Sequence, residues 1–141
     1  MIVVPFEPEH VERLQLQYAQ LSALDVLAKP GYAASLKNAG PAFSAMVDDE
    51  IIASLGVIPQ WTNRAVAWGL VGEKANRHLL AVHRAVTRFL DMTEYRRIET
   101  SVATQFAEGH RWARMLGFVN EGTMRAFTPD GRDCDLYARV K

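Results

Sequence analysis

The sequence predicts a single α+β domain over residues 1–141, a mostly antiparallel sheet of about seven strands flanked by about four helices. Three observations predict it. From Val66 to Leu90 an apolar, nearly uncharged strand runs into a long amphipathic helix, the unit around which the other segments are arranged. Near the C-terminus, Thr128-Pro129-Asp130-Gly131 is a turn in which proline presets φ and glycine accepts φ > 0, so the flanking segments form a hairpin. A content of 49% hydrophobic and 23% charged residues gives 141 residues enough apolar surface for a core.

From the N-terminus, Ile2 to Phe6 forms a short strand. Glu7-Pro8-Glu9 then opens a helix, because proline needs no N–H in a first turn and carboxylates favour the positive end of the dipole. Val11, Leu14, Tyr18 and Leu21 at helical spacing carry that helix from Glu9 to Leu27. Lys29-Pro30-Gly31 interrupts it, and a shorter helix covers Tyr32 to Asn38 before Gly40 and Pro41. Ala42 to Val47 and Ile51 to Ile58 pair around the turn Asp48-Asp49-Glu50. Pro59 and Asn63 bracket a loop around Trp61, and the Val66 to Val71 strand follows.

Gly72 ends that strand, and Asn76 is the expected N-cap of the central helix. Leu79, Val82, Val86, Phe89 and Leu90 form its apolar stripe, with Arg77, Arg84 and Arg88 on another side. A strand feeding a helix N-terminus leaves backbone N–H groups converging where phosphate-bearing ligands bind. Arg97 to Val102 is the next strand, Gln105 to Leu116 a helix capped by Gly117, and Thr123 to Phe127 with Asp133 to Val140 the closing hairpin. Alternation in its second strand turns Cys134 toward the core, and Trp61, Trp68 and Trp112 are expected as core or interface anchors.

Sixteen basic and sixteen acidic residues cancel, so no global field draws the chain to nucleic acid or an anionic membrane. The one cysteine excludes an intramolecular disulfide, and no apolar run approaches the roughly 20 residues that cross a bilayer. A cytoplasmic protein is expected. His78 and His83 stand five apart rather than four and no Cys/His cluster exists, so no metal is expected.

The element order, together with Val102 and the run His110-Arg111-Trp112-Ala113-Arg114-Met115-Leu116-Gly117-Phe118, resembles the GNAT superfamily of N-acetyltransferases along essentially the whole chain. Arg111-Trp112, Leu116-Gly117-Phe118 and Trp68-Gly69-Leu70-Val71-Gly72 look most like the small GNAT-like proteins of tailed phages. The resemblance implies a V-shaped splay between the Val66 and Arg97 strands. It also implies acetyl-CoA as acyl donor and a small-molecule or protein amine as acceptor. On that reading backbone N–H groups around Leu70 and Val71 polarise the thioester carbonyl, while Gly72, Lys74, Arg77 and His78 meet the pyrophosphate. Glu99 or His110 serves as the base.

Two departures stand out. The superfamily's Arg/Gln-x-x-Gly-x-Gly/Ala turn is here Gly72-Glu73-Lys74-Ala75-Asn76-Arg77-His78-Leu79, with no glycine inside the helix start. The asparagine and general-acid tyrosine of the later helix fall on Phe106 and Ala113. Two readings follow. One is an acyltransferase with eroded cofactor and acid motifs. The alternative is a catalytically silent, phage-encoded fold acting in virion assembly or binding a host protein, and found in the host cytoplasm or the virion.

Overall fold

The computed structural model describes residues 1–16, 20 and 24–141. Its strands are β1 (Ile2–Pro5), β2 (Ala42–Val47), β3 (Glu50–Trp61), β4 (Arg64–Val71), β5 (Arg97–Ala103), β6 (Val119–Met124) and β7 (Cys134–Val140). Its helices are α1 (Glu9–Arg13), α2 (Leu24–Leu27), α3 (Tyr32–Ala39), α4 (Leu79–Met92) and α5 (Ala107–Met115). The seven strands form one open sheet in the order β1-β2-β3-β4-β5-β7-β6. Every neighbouring pair is antiparallel except β4 with β5.

That parallel pair is short. It joins Arg64 to Arg97, Ala65 to Ile98 and Val66 to Glu99, and then stops. Past Val66, β4 stays on β3 as far as Val71, while β5 stays on β7 as far as Ala103. The sheet therefore splits into a V at its centre, as the sequence led us to expect.

Helices cover both faces. Val82, Val86 and Leu90, one stripe of α4, are buried with Ala65, Val71 and Ile98 on one side of the sheet. Trp112 of α5 donates its indole N–H to His83 Nδ1 of α4 at 3.2 Å, tying the two helices together. On the other face, His10 of α1 reaches Ser44 of β2, and α3 buries Leu36.

Several elements differ from expectation. The first helix ends at Arg13, and Leu14 is extended (φ −83°, ψ 130°). The cause is a competing partner: Leu16 bridges Gly72, and the Glu73 N–H donates to the Gln15 carbonyl at 2.8 Å. Tyr18 and Leu21 lie outside the described residues. The central helix starts at Leu79, after a 3-10 helix over Glu73–His78, so Asn76 is inside that turn instead of capping α4. Strand β3 continues through Pro59, which faces Ala65 at a position that exchanges no hydrogen bonds with β4 and so needs no N–H. Trp61 is 64% exposed, with the Arg64 guanidinium 4.7 Å above its ring. The closing turn forms, with Gly131 at φ +82°, but the strand before it is Val119–Met124. Cys134 is buried, yet Tyr137 is the deepest side chain of β7, since His110 of α5 covers its face.

Candidate active site

The opening between β4 and β5 is built by alternation. Gly72 N–H donates to the Ile52 carbonyl of β3 at 2.8 Å, so Leu70 and Trp68, two and four residues earlier, also turn their backbone groups to β3. Ala67, Gly69 and Val71 turn theirs to the cleft. The chain covers part of that edge itself. Gln20 Oε1 accepts from the Val71 N–H at 2.7 Å, and its Nε2 donates to the Gly69 carbonyl at 2.8 Å. Of the two sequence-predicted carbonyl donors, Leu70 thus faces β3, whereas Val71 faces the cleft and is held by Gln20.

A cavity of about 340 Å³ opens on the α3 side of this cleft. Trp68, Gly69 and Leu70 form one wall, Ser101 and Cys134 the opposite one, and Tyr32, Leu36 and Phe127 close it. Trp68 fits here because Gly56 across the ladder has no side chain, and a Cβ there would meet the indole at 2.9 Å. Burial pushes the Cys134 thiol up, so it is a neutral group in the wall.

The turn after β4 holds Gly72, Lys74, Arg77 and His78. A Cβ on Gly72 would lie 3.0 Å from the Ile52 carbonyl oxygen and 3.2 Å from that of Gln15, so glycine serves the chain's own close packing. Three N–H groups of the turn are bonded within the protein: Gly72 to Ile52, Glu73 to Gln15 and Ala75 to Gly72. Lys74 is ion-paired with Glu50, and Arg77 is exposed. Phosphates would therefore meet side chains here before backbone.

Glu99 is where the V begins, on the same sheet face as Ser101, two residues on. Its carboxylate is gripped by Arg64, through Nε and through Nη2 at 3.1 Å, and by Arg97 Nε at 3.2 Å. These guanidinium groups, Arg64 foremost, hold its carboxyl below the usual carboxylate range. His110 is on the opposite face. Its Nδ1 pairs with the buried Tyr137 hydroxyl at 2.6 Å and its Nε2 with the Thr104 carbonyl at 2.8 Å. The structure therefore does not bring Glu99 and His110 together. Ala113, at the position of the absent tyrosine, is 5% exposed within the core.

Sequence reasoning missed Gln20 and also a buried polar line. His10 Nδ1 contacts Ser44 Oγ at 2.9 Å, and Ser44 Oγ contacts Ser54 Oγ at 2.7 Å, directly across from Leu70. Burial, with Arg13 adding to it, lowers the His10 pKa. The apolar spacing of α1 gave no sign of this; a serine on each of two paired strands was the only trace. Among the described residues no group of three or more His, Cys, Asp or Glu converges to hold a metal, and no helix is long and apolar enough to cross a membrane.

No family model matches the sequence, and no curated protein matches it. Solved structures do match the fold. Ard1 from Thermoplasma volcanium superposes with a TM-score of 0.78 at 16% identity, over 99% of this chain and 96% of that one. An acetyltransferase of the GNAT family from Streptococcus pneumoniae gives 0.70 at 13% identity over 99% of both chains. Aminoglycoside 6'-acetyltransferase type Ii gives 0.71 at 14% identity, over 99% of this chain and 97% of that one. At such identities the likeness is one of architecture. The chain has the GNAT acetyltransferase fold.

Proposed function

We propose that this chain is an acyl-CoA-dependent N-acyltransferase acting on an amine. The observation that carries the reading is the interrupted parallel pair: β4 leaves β5 after Val66 and presents cleft-facing backbone groups beside a cavity. Such an edge fits a ligand with an amide-bearing arm, because alternate N–H and C=O groups accept it as they would a strand. Acetyl-CoA, when bound, supplies an activated acyl group whose carbonyl carbon takes an amine nitrogen as the thiolate leaves.

The chain's own part is positioning. The Val71 N–H is the donor for the developing oxyanion, once Gln20 releases it. Arg77 and His78, with Lys74 on leaving Glu50, supply cationic or donor groups for phosphates. Glu99 holds the base of the V through Arg64 and Arg97, and His110 fixes α5 to Tyr137; we assign both to positioning. The experiment is a thermal melt with acetyl-CoA. A ligand that binds only the folded state at a hundredfold excess over Kd adds about 2.7 kcal/mol, so a rise of several degrees is expected. An unchanged melting temperature overturns the reading.

The contacts of Gln15 and Gln20 favour a second reading, a catalytically silent GNAT fold used in phage assembly or in binding a host protein. On that reading the strand edge is closed for good, and acetyl-CoA has no effect on the melt.

A further inference from the structure

We propose that the acceptor taken by this chain is a weakly basic amine on an apolar body, of the arylamine class, bound in the cavity between β4, β5 and α3. The inference rests on the acyltransferase reading and concerns which amine that site takes.

Charge decides the class. Every described residue lining the cavity is uncharged. An ammonium ion entering it would surrender hydration with no carboxylate among the described lining residues to replace it. Aliphatic amines and polyamines are ammonium ions at neutral pH, and among the described lining residues they have nothing to pair with. The carboxylate on the same sheet face, Glu99, is committed to Arg64 and Arg97, and those guanidinium groups repel a cation that approaches from the apex of the V.

Proton chemistry points the same way. An ammonium must lose a proton before its nitrogen can attack, and the described cavity wall offers no base. Cys134 is a buried thiol pushed toward its protonated form. His110 is across the sheet with both ring nitrogens engaged. An arylamine enters with its lone pair already free. Its nitrogen bonds to the acyl carbon, the carbon–sulfur bond breaks, and the proton released by nitrogen ends on the departing thiolate. The products are an N-acyl arylamine and the coenzyme thiol.

Size and shape fit as well. A dry cavity of about 150 Å³ is enough for benzene, so about 340 Å³ holds a ring with a substituent. Three aromatic residues, Tyr32, Trp68 and Phe127, line it, and ring faces pair with ring faces or edges at such spacings.

The test compares 4-methoxyaniline with spermidine. Saturable binding of each is followed by tryptophan fluorescence and ligand-observed NMR at pH 7.5, and acetylation by release of coenzyme thiol. We expect the arylamine to bind at least tenfold more tightly and to be the preferred acceptor in competition. Ser101 is exposed at the cavity rim, so Ser101→Asp should fold, weaken arylamine binding and strengthen spermidine binding. Phe127→Ala, on an exposed turn, should weaken arylamine binding severalfold. Tighter or faster use of spermidine by the unaltered protein overturns the proposal, and so does an absence of saturable arylamine binding. A melt unmoved by acetyl-CoA would instead sink the acyltransferase reading, while the two amine affinities still rank the cavity's preference.

Discussion

Gln20 and Val71 are joined across the mouth of the cleft, the Val71 N–H resting on the Gln20 amide oxygen at 2.7 Å. The other end of that amide holds the Gly69 carbonyl at 2.8 Å, so one side chain does on β4 what a neighbouring strand would do. A coenzyme arm must displace it. The two bonds together are worth about 1–3 kcal/mol net, so Gln20→Ala should tighten acetyl-CoA binding by roughly five- to a hundredfold. Isothermal titration calorimetry measures this directly. Weaker binding in the variant would make Gln20 a contact to the coenzyme instead of a competitor for its place.

On the proposed function Arg77, exposed on the turn after β4, is the expected side-chain contact to phosphate, since the Gly72, Glu73 and Ala75 N–H groups are bonded within the chain. Arg77→Ala should weaken acetyl-CoA by roughly 1–3 kcal/mol, the worth of a charge-assisted hydrogen bond. Its affinity for dephosphorylated pantetheine should not change. Equal loss on both ligands would place Arg77 elsewhere.

The buried His10 makes stability depend on pH near neutrality. Its folded pKa lies below the unfolded value, so the unfolded chain binds the extra proton, and stability is lost as pH falls below about 6.5. Urea midpoints should decline from about pH 7 to pH 5, and His10→Gln should flatten that decline. Glu99 and Asp135 add a second loss at lower pH. Arg64 holds the first below the usual carboxylate range and Asn120 the second, so their contribution is present above about pH 4 and disappears as they protonate.

Restoring a tyrosine to the later helix should not restore an acid. Ala113 is packed in the core beneath α5, and a phenol there has to push Leu116 or Phe118 aside. Ala113→Tyr should cost about 1–3 kcal/mol of stability, as overpacking does, with no gain in single-turnover rate. A faster variant with an unchanged melting temperature would show that the helix can turn this position to the cleft.

What was legible in the sequence was local. Proline and glycine fixed the Thr128–Gly131 turn, apolar runs between turn residues located β2 to β5 to within a few residues, and Leu116-Gly117-Phe118 marked the end of α5, where Gly117 takes φ +89°. What failed depended on partners distant in sequence. Val11 and Leu14 carry a helical spacing, yet the chain leaves the helix at Leu14 because the turn after β4, more than 50 residues later, offers Gln15 and Leu16 partners at Glu73 and Gly72. Gln20 lacks any local signal of its role for the same reason. Glu99 was recognisable as an acid on the right strand, but its capture by Arg64 follows from a register that only the folded sheet defines.

The alternation along β4 has a consequence for how the strand exchanges hydrogen with solvent. Trp68 and Leu70 point their N–H groups at β3, Ala67 gives its own to the last rung with β5 at Glu99, and Gly69 points its N–H into the opening. In deuterium oxide the Gly69 amide should therefore exchange fast between slow neighbours, with Val71 slowed by Gln20 alone. A ligand that adds itself to this edge would slow Gly69 as well, turning one fast amide into uniform protection along the strand and reporting occupancy without any chemistry taking place.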